Sequence, residues 1–250
     1  MKLKFFSVCC CLSLALANPS WAEDAALPAA RSKDHSWMKI SQWKALHEED
    51  LARAKQGPVD LLFLGDSITQ GWGENETWKK LYEPRHAANF GIGGDTTQNV
   101  LWRITDGKAL EEIEPKAIVL MIGTNNFGLE NDKPEDVARG VAALLKTLRE
   151  LEPQAKILLV GIFPRDEKPD TDFRKRIAAT NAELAKLAKL ADPEKVTYLE
   201  IGDKFLTEDG KLSKELMPDF LHLSPKGYEI WGESIEPTVK KLLGEKPSEN

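Results

Sequence analysis

The sequence predicts an α/β fold in three layers (α/β/α), with a five-stranded parallel sheet between two layers of helices. Three observations carry this. Five short, mostly apolar runs recur along the chain, helical stretches separate them, and polar, glycine-containing segments follow the first three runs at 65–67, 91–95 and 123–126. Nearly continuous apolar runs belong to strands buried on both faces, the condition of a parallel sheet covered by helices. Alternation of strand with helix implies right-handed βαβ units.

The chain begins with a segment that belongs to no layer. Lys2 and Lys4 precede an apolar stretch at 5–17, and the small-x-small triplet Ser20-Trp21-Ala22 follows. This is the pattern of a secretory signal peptide over 1–22, with cleavage after Ala17 as the alternative. A membrane span needs about 20 apolar residues, more than this stretch offers. The expectation is a mature chain that is secreted or periplasmic, one domain over 23–250, with a frayed tail from about 244. Cys9, Cys10 and Cys11 all lie in the leader. The rest of the chain therefore has no disulfide, thiolate nucleophile or thiolate metal ligand. The formal charge of −6 becomes −8 once Lys2 and Lys4 are removed, which argues against polyanionic partners such as nucleic acid.

The elements follow in order. At 37–56, Trp37, Ile40, Trp43, Leu46 and Leu51 recur at helical spacing. Pro58 ends that helix. Strands are expected at 59–64, 87–92, 117–122, 156–162 and 196–201. Helices are expected at 77–82, 96–104, 134–151, 172–190 and 225–243. Pro134 and Pro225 suit first helical turns, Ser224 suits an N-cap, and Asp95 is read as the cap of the helix beginning at Thr96. Glu48-Glu49-Asp50 reads as the wet face of the first helix. Trp72 and Trp102 read as packed side chains rather than sugar-stacking ones. Arg165 is assigned either to an anionic substrate group or to an ion pair with Asp166 or Glu167.

Strands of a parallel sheet send their C-terminal ends to one edge, where α/β folds keep their chemistry. Gly65-Asp66-Ser67 follows the first strand, Gly91 to Asp95 the second, and Gly123-Thr124-Asn125-Asn126 the third. Downstream, Asp219-Phe220-Leu221-His222 sets an acid three residues before an imidazole. A serine hydroxyl becomes a useful nucleophile only when a base takes its proton and an acid orients that base. The second glycine of the G-x-S-x-G elbow is missing, and no phosphate loop, complete dinucleotide fingerprint or H-E-x-x-H metal motif occurs. No cofactor and no metal are expected.

On Gly65-Asp66-Ser67, Asn89 to Asp95, Gly123 to Asn126 and Asp219-x-x-His222, in this order over nearly all of the chain, the sequence resembles the SGNH, or GDSL-type, hydrolase family. The runs at 89–103, 161–169 and 219–223 are similar to the branch containing the catalytic subunits of platelet-activating-factor acetylhydrolase. The resemblance implies a flavodoxin-like sheet, with Ser67 as nucleophile, His222 as general base and acid, and Asp219 as the orienting carboxylate. It further implies an oxyanion hole from the Ser67 and Gly94 N–H groups and the Asn125 side-chain amide, and a homodimer. Asp66 is read as a loop-fixing residue, Asn126 as a structural turn residue, and Gly91 and Gly93 as turn glycines.

The resulting expectation is an esterase acting on short-chain, acetyl-type esters through an acyl-enzyme, with Ile68, Phe127 and Leu221 walling the acyl pocket. Its substrate is an O-acetylated carbohydrate or an acetylated phospholipid. The alternatives are an acyltransferase using the same acyl-enzyme and a non-catalytic binding or dimerisation module.

Overall fold

The computed structural model describes residues 24–73 and 75–245. The expected signal peptide and residues 246–250 lie outside the described residues. Five parallel strands, β1 (Leu61–Gly65), β2 (Ala87–Gly91), β3 (Ala117–Met121), β4 (Lys156–Val160) and β5 (Val196–Leu199), form one sheet in the order β2-β1-β3-β4-β5. The register pairs Leu64 with Phe90 on one side and with Leu120 on the other. Strand order therefore reverses between β1 and β3, and the crevice at such a switch point is the usual ligand position of an open α/β sheet.

The strands bury alternate residues on opposite faces. Leu62 and Leu64 join the core under α1 (Ile40–Ala54), α4 (Thr97–Ile104), α6 (Pro134–Leu151) and α7 (Asp172–Ala191). Leu61 and Phe63 join the core under α3 (Glu76–Leu81) and α8 (Pro225–Leu243). That second core is aromatic: Phe63 and Trp72 meet edge-on at 6.0 Å, and Trp72 lies 4.9 Å from Trp231. Trp72 is fully buried, and Trp102 packs against Trp43 at 5.3 Å, so both are packed as the sequence predicts. Among the described residues no helix is long and apolar enough to cross a membrane.

Two short helices escape the sequence reading, α2 (Ser67–Gln70) and α5 (Thr124–Leu129), directly after β1 and β3. Four to six residues are too few to show a helical period. Tertiary hydrogen bonds hold α2 instead: Asn89 Nδ2 donates to the Thr69 carbonyl at 2.9 Å, and the Tyr228 hydroxyl donates to the Ile68 carbonyl at 2.7 Å. Gly91 has an ordinary φ and is not the turn glycine expected. It is required for close approach, because a Cβ there would lie 2.8 Å from the Asp66 carbonyl oxygen.

Several boundaries and caps are corrected. Helix α1 starts at Ile40 rather than 37, because Asp34 Oδ1 accepts from Ile40 N (2.8 Å) and Gln42 Oε1 from Lys39 N (2.8 Å). Its buried residues are Trp43, His47, Asp50 and Ala54. Glu48 and Glu49 are exposed as expected, but Asp50 is not. Asp95 is not a cap either: Thr96 holds the N-cap position of α4, with Asn99 Oδ1 accepting from its N–H at 3.2 Å. Ser224 caps α8 as expected, its hydroxyl accepting from Gly227 N. At the other end the described residues stop at Glu245, and the rest of the tail expected to fray from about 244 lies outside them. Gly244 takes φ 73°, and the Glu245 carboxylate meets Arg85 at 2.8 Å.

Asp50 and Asp95 converge on Arg103, which has no exposed surface. Arg103 Nη1 donates to Asp50 Oδ2 at 3.0 Å, and its Nε lies 2.8 Å from Asp95 Oδ2. Its Nη2 reaches the Phe90 carbonyl at 2.9 Å and the Gly65 carbonyl at 3.3 Å. One guanidinium thus clamps the C-terminal ends of β1 and β2. Trp43 Nε1 (2.6 Å) and Arg31 Nη2 (3.3 Å) donate to the other oxygen of Asp95.

Candidate active site

Ser67 is the first residue of α2, and its N–H therefore has no intrahelical acceptor. Ser67 is partly exposed, while the Asp66 before it is fully buried and accepts from Ile68 N at 2.9 Å. Burial pushes the Asp66 carboxyl up to about 7, with the Ile68 N–H and His222 opposing that rise and the carboxylate of Asp95 adding to it. Because the folded value lies above the unfolded one of 3.8, its stabilisation is fully present below that value and is lost as pH rises to about 7. Asp66→Asn keeps an oxygen acceptor without the charge. It is expected to raise the melting midpoint by a few degrees at pH 8 and to leave it nearly unchanged near pH 4. An equal shift at both pH values would contradict a buried, titrating Asp66.

The acid and imidazole come from the turn before α8. Asp219 Oδ1 accepts from Leu221 N (3.0 Å) and His222 N (2.7 Å), while Oδ2 lies 2.7 Å from His222 Nδ1. Phe220 takes φ 58° to close this turn, and its carbonyl accepts from Asp166 N at 3.0 Å, which ties the turn to the segment after β4. Desolvation acts to raise the Asp219 pKa. The hydrogen bonds from the His222 side chain and backbone outweigh it and hold the carboxyl below its ordinary value. His222 Nε2 lies 2.9 Å from Ser67 Oγ. The Asp219 and His222 side chains are 56% and 45% exposed, so this site is open to solvent.

Gly94 and Asn125 arrive from β2 and β3. A Cβ on Gly93 would stand 3.7 Å from Ser67 Cβ, which places the diglycine backbone against the Ser67 side chain. Gly94 takes φ +76°, a conformation that favours glycine. Asn125 Nδ2 donates one hydrogen to the Asp95 carbonyl at 3.0 Å, which fixes the amide beside this loop. A second hydrogen on that nitrogen remains. Asn126 holds the loops together, accepting from Thr97 N (3.0 Å) and donating to Asp132 Oδ2 (2.9 Å).

The expected acyl-pocket walls are corrected in part. Ile68 is 1% exposed and packs into the aromatic core, and Phe127 is 2% exposed in the opposite core with the Arg176 guanidinium 4.8 Å above it. Neither ring nor branch faces solvent. Leu221 alone of the three is partly exposed beside His222. Among the described residues Arg165 does not pair with Asp166 or Glu167: it stacks 4.1 Å over Phe173, with Nη1 near the Thr124 carbonyl at 3.4 Å. Sequence reasoning also missed Arg103 and Asp50. A lone arginine in a helical segment carries no signal of burial.

A hydroxyl, imidazole and carboxylate in line at the switch point of a parallel α/β sheet define the serine hydrolase class of site. The GDSL-like lipase/acylhydrolase family model matches residues 63–230, and the chain belongs to that family. It is an ester hydrolase of the acylhydrolase type. Over 208 residues it is 40% identical to platelet-activating factor acetylhydrolase IB subunit alpha2 of Rattus norvegicus, covering 83% of this chain and 88% of that protein. It is 39% identical over 202 residues to subunit alpha1 from Bos taurus, covering 81% and 84%. Its fold is that of a GDSL-like lipase from Bacteroides thetaiotaomicron (TM-score 0.62, 20% identity, 80% of this chain and 98% of that one). It is likewise that of a carbohydrate acetylesterase from Sinorhizobium meliloti (TM-score 0.57, 20% identity, 74% and 99%).

Proposed function

We propose that this protein is a secreted serine esterase for short-chain, acetyl-type esters, working through an acyl-enzyme on Ser67. The observation that carries the reading is the unbroken chain from Ser67 Oγ through His222 to Asp219, at 2.9 and 2.7 Å. Ser67 Oγ attacks the ester carbonyl carbon while His222 Nε2 takes the hydroxyl proton. Asp219 accepts from Nδ1–H, which holds the tautomer and stabilises the imidazolium. The oxyanion meets the Ser67 N–H, the Gly94 N–H and the second hydrogen of Asn125 Nδ2. Collapse breaks the C–O bond, His222 hands its proton to the departing alkoxide, and acyl-Ser67 remains. Water then attacks the acyl carbon as His222 takes its proton, the acid leaves, and the proton returns to Ser67 Oγ.

An acetyl ester is the chemistry common to the platelet-activating factor acetylhydrolase relatives and the carbohydrate acetylesterase. The diglycine backbone beside Ser67 and the half-exposed triad suit a small acyl group at an open face. The test is hydrolysis of p-nitrophenyl acetate, butyrate and octanoate by the protein lacking 1–22. The expected order is acetate above butyrate above octanoate. Octanoate turnover equal to acetate rejects the short-chain assignment, and no turnover by a folded protein rejects the esterase. Asn125→Ala is expected to lower kcat on p-nitrophenyl acetate by about 10²–10³-fold with little change in KM, the usual cost of one oxyanion donor. A loss confined to KM would place Asn125 outside the oxyanion hole.

A further inference from the structure

Four large hydrophobic side chains are exposed among the described residues, and Trp37, at 53%, is the aromatic one. Scattered surface hydrophobics need no explanation. Trp37 differs in being both fixed in place and adjacent to the site. His35 and Met38 exchange backbone hydrogen bonds (2.9 and 3.2 Å) around it, and the His35 imidazole stacks on the indole at 4.8 Å and 9°. Below the turn, Arg31 Nη2 donates to the Gly93 carbonyl at 2.7 Å and Nη1 contacts Met38 Sδ at 2.9 Å. The edge of the indole lies against Gly94: a Cβ there would collide with Cη2 and stand 3.0 Å from Cζ3. A Cβ on Gly93 would stand 3.3 Å from Met38 Cε and 3.7 Å from Ser67 Cβ. The indole is half exposed, with His35 stacked on it and the Arg31 guanidinium 5.8 Å from the centre of its ring.

We infer that Trp37, supported by His35, is the alcohol-side subsite of this esterase and stacks on the ring of an O-acetylated pyranoside. This rests on the esterase reading and names its substrate class. The C–H face of a pyranose is apolar with weakly positive hydrogens, and it complements the negative face of an indole. A long alkyl chain requires a continuous apolar track instead. Its sequence neighbours Lys33, Asp34, Ser36 and Lys39 are all exposed and polar, with Lys39 paired to Asp34 at 3.5 Å and Lys33 to Glu130 at 3.7 Å. Of the other three exposed hydrophobics, Leu151 and Leu190 stand at the C-terminal ends of α6 and α7, toward the opposite edge of the sheet, and Leu27 stands on the segment before α1. Trp37 also precedes the matched family segment at 63–230, so the platform is built from sequence outside that segment.

The test compares two acetyl esters in a pH-stat, methyl 2,3,4-tri-O-acetyl-β-xylopyranoside and ethyl acetate, with wild-type, Trp37→Ala and Trp37→Phe proteins. The ratio of kcat/KM for the sugar ester to that for ethyl acetate is expected to fall about tenfold in Trp37→Ala, mainly through KM, and to recover largely in Trp37→Phe. An unchanged ratio, or an equal loss on both esters with a lowered melting midpoint, overturns the subsite. So does a larger loss on an acetylated glycerophospholipid than on the sugar. Ligand binding separates this inference from the esterase reading. In Ser67→Ala protein, the Trp37 indole N–H resonance, assigned by its absence in Trp37→Phe, is expected to move on titration with the acetylated xyloside. No movement overturns the platform, while movement with no turnover of any ester by wild type leaves the platform standing and removes the esterase.

Discussion

Ser67→Ala is expected to lower kcat for p-nitrophenyl acetate by at least about 10⁴-fold with the fold intact, and His222→Ala to do nearly the same. The reason is geometric. Ser67 Oγ and His222 Nε2 stand 2.9 Å apart, and Asp219 fixes the far side of the same imidazole at 2.7 Å, so the three groups act as one unit. Groups that act as a unit are not additive. The double variant should therefore be hardly slower than either single one, since the residual rate comes from binding and oxyanion donors that both leave in place. Kinetics of the two single variants and the double one check this. A Ser67→Ala protein retaining a tenth of wild-type kcat would move the nucleophile elsewhere.

Arg103→Leu is expected to destabilise the protein by about 3–5 kcal/mol, the cost of leaving buried charge without its partner. Both Asp50 and Asp95 lose their guanidinium, and the Gly65 and Phe90 carbonyls lose a donor. Arg103→Lys should recover little of this, because a single ammonium cannot reproduce a planar fork serving four acceptors. Urea denaturation reads the effect, and a loss below about 1 kcal/mol would show that the cluster contributes packing alone. Burial pushes the Asp50 carboxyl up to about 7 against the pull of Arg103, so removal of Arg103 falls hardest at alkaline pH, where that carboxyl is ionised.

Most of the fold is legible in the sequence. The strand expected at 117–122 and the helices expected at 134–151 and 225–243 end within a residue of the observed ones, because each joins its pattern to a punctuating Pro or Gly. Ser67, Asn125 and His222 were legible for a different reason. Their motifs sit at strand ends or in a turn where local geometry alone carries the side chain to the common edge. The spacing of Trp37 from Ile40 fits a helical stripe, yet Asp34 and Gln42 start helix α1 three residues later. Nearness to Asn125 in sequence suggests a place for Phe127 at the pocket. Helix α5 turns it into the opposite core.

By itself the sequence determined the alternation of strand and helix, the parallel sheet, and the identity of the nucleophile, base and acid candidates. These depend on short-range periodicity and on turns of three or four residues, and both are written locally. Only the tertiary structure decided which polar groups lie inside and which apolar ones lie outside. Asp50, Asp95 and Arg103 are separated by 45 and 8 residues and become neighbours only when α1 and α4 pack on the same face of the sheet. Trp37 and Gly94 meet only when the segment before α1 crosses the end of β2. A charge is buried when its partner arrives from another element, and an indole stays exposed when its support does, so neither is visible in the pattern of one segment.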